Sequence, residues 1–230
     1  PQASGGFFAT NTVTAVPYYR FTLSQPQPLT IRADNPEADP YIYVFDAQGT
    51  LLGENDDSAN SLNSRVDLTT PLDPGSYCVG MRALSDPELP VTLSVQVYDA
   101  AAADAEAYAY ADAMPPLGGA YPVRDIGVLS RVDLRDLRVP GDQAQFVSFQ
   151  VTEPGLVLIP ADEISDSDPW LRVFDGSGGL VAENDDANGT LNSEVALRVF
   201  PGRYTVGLRQ YSTASNGVVR LTIQRYIPAP

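Results

Sequence analysis

Residues 39–56 read DPYIYVFDAQGTLLGEND, and residues 168–185 read DPWLRVFDGSGGLVAEND. In each stretch apolar and polar positions alternate over a short run, a turn signal with glycine follows, and a second short run leads into acids and an amide. A period of two with Val, Ile, Leu and aromatic residues, broken by Asp and Gly, is the pattern of a β-hairpin. The hairpin occurs twice, so the chain is expected to be built from two copies of one β-rich domain.

The correspondence extends in both directions from the hairpins. Asn55-Asp56-Asp57 and Leu62-Asn63-Ser64 recur as Asn184-Asp185-Asp186 and Leu191-Asn192-Ser193, and Pro74-Gly75-Ser76-Tyr77 recurs as Pro201-Gly202-Arg203-Tyr204. Gly80 recurs as Gly207. Strands are predicted at 18–23, 29–33, 41–45, 51–54, 64–68, 76–81 and 91–98. The second copy offers 146–151, 156–160, 170–174, 180–183, 193–199, 203–208 and 218–224. Phe7-Phe8-Ala9-Thr10 can add a strand to this sandwich or to another protein's, and 123–142 is expected to open the second copy. Short strands with turn signals every dozen residues or so define an all-β fold, two tandem antiparallel β-sandwiches of jelly-roll-like topology. The expected domains are 1–98 and 123–230, joined by an Ala- and Pro-rich connector, 99–122. Its alanines favour a helix with acids toward the N-terminal end, ended by Pro115-Pro116. Tyr108-Ala109-Tyr110 leaves a strand open, and such tracts can also be disordered.

At 230 residues each copy can bury a core of its own. The net charge of −15 argues against nucleic acid or an anionic membrane as partner and favours cations. No His is present, which removes the commonest general base and the usual zinc ligand. The single cysteine, Cys78, lies in strand sequence and reads as a buried thiol. No apolar run reaches the roughly 20 residues a membrane helix requires, so no membrane insertion is expected. The start at Pro1-Gln2-Ala3-Ser4 fits a chain whose leader has been removed, and equally one cut for another reason.

The repeated acids carry the functional expectation. With the turn closed between Asp46 and Gly49, Asp39 falls opposite Asp56; with the turn closed between Asp175 and Gly178, Asp168 falls opposite Asp185. Like charges opposed across a ladder repel, which calls for a cation. Calcium takes six to eight hard oxygens in flexible geometry, and these side chains supply them. The expected ligands are Asp39, Asn55, Asp56, Asp57 and Asn63 in one copy, and Asp168, Asn184, Asp185, Asp186 and Asn192 in the other, for one Ca2+ per domain. Some would bind through backbone carbonyls or water, while Ser64 and Ser193 fix loop hydrogen bonds. Asp46 and Asp175 lie at the far end of the hairpin and are read as turn formers. An EF-hand is excluded: Asn184, Asp186, Asn188 and Gly189 fit its first half, but Val195 stands where a Glu is needed.

The series Asp-Pro-aromatic, Val-Phe-Asp, Glu-Asn-Asp-Asp, Leu-Asn-Ser and Pro-Gly-x-Tyr resembles the bacterial pre-peptidase C-terminal domain, over about 18–98 and again over 146–226. The resemblance implies exported, non-catalytic β-sandwich modules that aid stability, secretion or attachment, some of which bind calcium. The expected setting is therefore secreted, cell-surface or periplasmic. Expected partners are a protein or glycan on or outside the cell envelope, or copies of the chain itself. The alternative is a structural subunit of a surface filament, lattice or particle. A two-carboxylate glycosidase is disfavoured, because duplication at a hairpin end does not predict one carboxyl in an apolar cleft. No enzymatic activity is expected.

Overall fold

The computed structural model describes residues 6–58 and 61–226. The chain divides into two compact units, Pro1–Ala100 and Ala101–Pro230. In the first, strands β1 (Phe7–Thr12), β2 (Tyr18–Leu23), β3 (Gln27–Asp34), β4 (Pro40–Phe45), β5 (Leu51–Asn55), β6 (Ser64–Leu72), β7 (Gly75–Ala83) and β8 (Pro90–Val97) form two four-stranded sheets. Their orders are β1-β8-β3-β6 and β2-β7-β4-β5, antiparallel throughout.

Helix α1 (Ala100–Ala109) starts on the last residue of the first unit and leads into the second, which continues with β9 (Val123–Val128), β10 (Val132–Pro140), β11 (Gln145–Val151), β12 (Gly155–Ser165), β13 (Pro169–Asp175), β14 (Leu180–Asn184), β15 (Ser193–Val199), β16 (Gly202–Gln210) and β17 (Asn216–Tyr226). Its sheets are β10-β17-β12-β15 and β14-β13-β16-β11-β9. Strand for strand this is the order of the first unit, with β9 added in parallel beside β11.

Alternation in the sequence becomes alternation in burial. β2 and β15 switch between exposed and buried at every step, and the inward residues of both sheets meet in one core per unit. Phe21, Ile31, Ile42 and Leu93 are buried in the first core; Phe149, Ile159, Leu171 and Leu221 take the matching role in the second. Cys78 is half-buried in β7, facing away from this core. The Pro-Gly-x-Tyr motif also finds its reason. The Tyr77 hydroxyl donates to the Asp73 carbonyl at 2.7 Å, and that of Tyr204 to Phe200 at 3.3 Å, each bracing the corner four residues upstream.

The hairpin register differs from the sequence expectation by two residues. Ile42 faces Asn55, not Gly53, and Leu171 faces Asn184, not Ala182. Two irregularities cause this. Gly49 and Gly178 adopt φ of 82° and 88° and add a residue to each turn, and a bulge between Val44 and Phe45, repeated between Val173 and Phe174, adds another. Asp39 and Asp56 are therefore not ladder partners, nor are Asp168 and Asp185.

Asp46 and Asp175 form the turns as expected. Asp46 Oδ1 accepts the N–H groups of Gln48 and Thr50, and Asp175 Oδ1 those of Ser177 and Gly179 plus the Ser177 hydroxyl. These bonds hold the Asp175 carboxyl below the usual carboxylate range, the Ser177 hydroxyl contributing most. A depressed folded pKa stabilises above the unfolded pKa, and that contribution fades as pH falls through the folded value. Asp175→Ala is expected to lower the melting temperature at neutral pH, with the gap to wild type closing on acidification below the carboxylate range. A gap constant with pH would contradict this.

Candidate functional site

The repeated acids and amides gather where β4 begins and β5 ends, and where β13 begins and β14 ends. Each segment enters its sheet through a tied aspartate. The Asp39 carbonyl accepts Leu84 N–H and the Asp168 carbonyl accepts Tyr211 N–H, both at 2.7 Å. Asp39 N–H donates to Ser85 Oγ and Asp168 N–H to the buried Gln210 Oε1.

The four amides brace these loops. Asn55 Oδ1 accepts Arg65 N–H at 2.9 Å and Asn184 Oδ1 accepts Glu194 N–H at 3.0 Å. Asn63 Oδ1 accepts Asn35 N–H, and Asn192 Oδ1 accepts Glu163 N–H, both at 2.8 Å. All four amide oxygens thus already receive a backbone donor. Ser64 and Ser193 are buried and lie at the centre of each corner. The Ser64 hydroxyl lies within bonding reach of the carbonyls of Pro40, Asn55 and Asp56, and the Ser193 hydroxyl of those of Pro169, Asn184 and Asp185. A hydroxyl has one proton, so three carbonyl oxygens compete for it.

The carboxylates are less well satisfied. Asp39 Oδ1 is enclosed with no hydrogen-bond partner among the described residues. Asp56 Oδ1 accepts Asp57 N–H at 3.0 Å. Partial desolvation, followed by the charges of Asp56 and Asp39, pushes the Asp57 carboxyl up. In the second unit burial, then Asp186, Asp185 and Glu163, push Asp168 up. The acids of each corner therefore sense one another even though their strands do not pair them. Glu163 is the member that sequence comparison missed; its counterpart in the first unit is Asn35, whose N–H makes the same bond to Asn63, so this acid is not repeated.

The chemistry of this donor set fits a hard cation, with an enclosed carboxylate oxygen lacking a donor and, in each corner, a carboxyl raised by burial and then by its acidic neighbours. Among the described residues no group of three or more Asp, Glu or Cys side chains stands ready to enclose a metal. An ion at either corner would thus draw on backbone carbonyls and water beside one or two carboxylates.

Each unit is a β-sandwich, antiparallel but for β9, with an acidic corner at one end of the sheet that holds β4 and β5, or β13 and β14. Residues 15–83 match the family model of the bacterial pre-peptidase C-terminal domain. Among solved structures, the pre-peptidase C-terminal domain of a collagenase from Bacillus anthracis is similar at 17% identity, over 46% of this chain and 99% of that one, with a TM-score of 0.39. PliG, a periplasmic inhibitor of g-type lysozyme from Aeromonas hydrophila, is similar at 13% identity, over 46% of this chain and 100% of that one, with a TM-score of 0.35. No curated protein matches the sequence. Among the described residues no helix is long and apolar enough to cross a membrane.

Proposed function

We propose that the chain is an exported, non-enzymatic tandem β-sandwich protein that binds one calcium ion at the acidic corner of each unit and serves as a binding or attachment module. The ions rigidify the loops between β5 and β6 and between β14 and β15. The observation that carries the calcium reading is the enclosed, undonated Asp39 Oδ1 beside Asp56 and Asp57, repeated in kind by the raised Asp168 beside Asp185 and Asp186. The family-model match at 15–83 supports the exported, module-like part of the reading. One or two of Asp39, Asp56 and Asp57, and one or two of Asp168, Asp185 and Asp186, supply the charge at each corner. Asn55, Asn63, Asn184 and Asn192 hold the loops and lend backbone or shared amide oxygens.

The test uses the sign of one substitution. A carboxyl whose folded pKa is raised stabilises below the unfolded pKa, and that stability is lost as pH rises through the folded value. In chelator at neutral pH, Asp168→Asn is therefore expected to raise the melting temperature of the second unit. In calcium the order should reverse, because the variant loses a ligand. With a Kd of about 10⁻⁴ M, typical of extracellular sites, 10 mM calcium would stabilise the wild-type unit by about 2.7 kcal/mol. A wild-type melting curve indifferent to calcium, or a calcium shift equal in wild type and Asp168→Asn, would remove the metal from the proposal.

A further inference from the structure

The two units present the same sheet face, but among the described residues only the second unit covers it with its own chain. There α1 ends in a turn where Asp112 N–H reaches the Ala107 carbonyl at 2.8 Å and Ala111 N–H the Tyr108 carbonyl at 3.1 Å. Ala111 takes the left-handed position, φ 54°, usually given to glycine. Its methyl group rests over Gly207, where an added Cβ would come within 2.9 Å of the Ala111 Cβ. Asp112 pairs with Arg172, and the Tyr121 ring meets Phe146 at 5.6 Å. Beneath this cover Phe146, Phe174 and Arg209 are 3%, 2% and 3% exposed.

The first unit repeats the face residue by residue. Tyr18 and Tyr43 flank Gly80 across the ladder as Phe146 and Arg172 flank Gly207. Phe45 stands for Phe174 and Arg82 for Arg209. Here, however, Tyr18 is 68% exposed, Arg82 is exposed, and the face borders a recess of about 390 Å³.

We propose that this Tyr18–Gly80–Arg82 face is a docking site for a peptide segment of a partner protein, which seats an alanine-sized side chain over Gly80 as Ala111 sits over Gly207. One difference between the faces defines the partner's chemistry. Tyr43 replaces Arg172, so the cation that receives Asp112 is missing, and Glu54 faces Tyr43 in the ladder. The partner therefore carries a neutral residue at that point, flanked by aromatic or Met side chains like the Tyr108, Met114 and Tyr121 that pack on the second unit. A sugar is the poorer fit. The rings of Tyr41, Tyr43 and Phe45 stack on one another at 4.5 and 6.3 Å, occupying the faces a sugar would need. Among the described residues the chain's own segment of this kind is engaged at Gly207, and the proposal takes another protein as the source.

The inference names a surface for the binding-module reading and does not use the acidic corner. The probe is a fluorescent peptide of residues 104–121 carrying Asp112→Asn, titrated by anisotropy against the full chain, in calcium and in chelator. Saturable binding is expected in both buffers, weaker for the unsubstituted peptide. Tyr18→Ala and Gly80→Leu should each weaken it about tenfold or more. Tyr18 is an exposed side chain and a Cβ at Gly80 meets only ring atoms, at 3.2 Å or beyond, so unchanged melting curves would certify that both variants fold. Absence of saturable binding, binding indifferent to both substitutions, or self-association through this face without uptake of the peptide would each overturn the proposal. None of these outcomes alters the calcium test.

Discussion

Phe149→Ala is expected to destabilise the second unit by about 3–5 kcal/mol, the range for removing a fully buried phenyl ring. Phe149 has no exposed surface and stacks on Tyr204 at 5.8 Å with 21° between the rings. Phe21 and Tyr77 repeat the pair in the first unit at 5.5 Å and 22°. Both rings sit between two hydrogen-bonded sheets, whose spacing is fixed by their ladders, so the space left by the phenyl group cannot close by collapse. Tyr204 cannot follow it inward either, because its hydroxyl is tied to Phe200. Urea denaturation of the full chain should show the second unit's transition moving to lower denaturant while the first unit's stays in place. A loss under about 1.5 kcal/mol would mean that the core repacks as a volume-conserving exchange would allow.

The second large effect is expected at Gly217, the second residue of β17. A Cβ there would lie 2.1 Å from the Ser165 carbonyl oxygen, 2.6 Å from that of Asp166 and 2.6 Å from Ser167 Oγ. Two of these contacts are backbone, in a stretch already bent by a bulge after Glu163 and by Asp166 at φ 41°. No side-chain rotation relieves them. Gly217→Ala must part β12 from β17 or distort the turn, at a cost of about 3 kcal/mol, the upper end for overpacking. The damage reaches the acidic corner, because Ser167 Oγ bonds the Ser165 and Val218 carbonyls and the next residue is Asp168. Calorimetry should therefore show a lower melting temperature and, on the calcium reading, a smaller calcium shift in the second unit. A variant that melts as wild type would show that the close approach is not rigid.

The strands were legible because one face of each sheet is buried, which imprints a period of two; the prediction for 18–23 coincides with β2. The duplication is matched by one strand order shared by the two units. Register was not legible, because the extra residue after each hairpin turn depends on a bulge that apolar alternation does not encode. The role of the segment after residue 99 was also hidden. α1 ends at Ala109, before Pro115, at a turn rather than at the prolines, and has no acid in its first turn. Its alanines carry no periodic apolar stripe, so nothing in the local pattern pointed to Gly207 or Arg172. At the acidic corners the residue types were readable but their partners were not. An amide oxygen accepts a cation or a backbone N–H alike, and only the loop geometry shows that Asn55, Asn63, Asn184 and Asn192 already hold the latter. Ser64 and Ser193 do the hydrogen bonding that the repeat suggested.

A methyl group lying on a bare backbone measures size to within a single carbon. At Ala111 a glycine would relax the left-handed turn but lift nothing onto the sheet, and a valine would strain the turn and collide with what lies below. Alanine meets both demands, so the segment gains a size-selective contact beside its Asp112–Arg172 pair and its Tyr121–Phe146 ring contact.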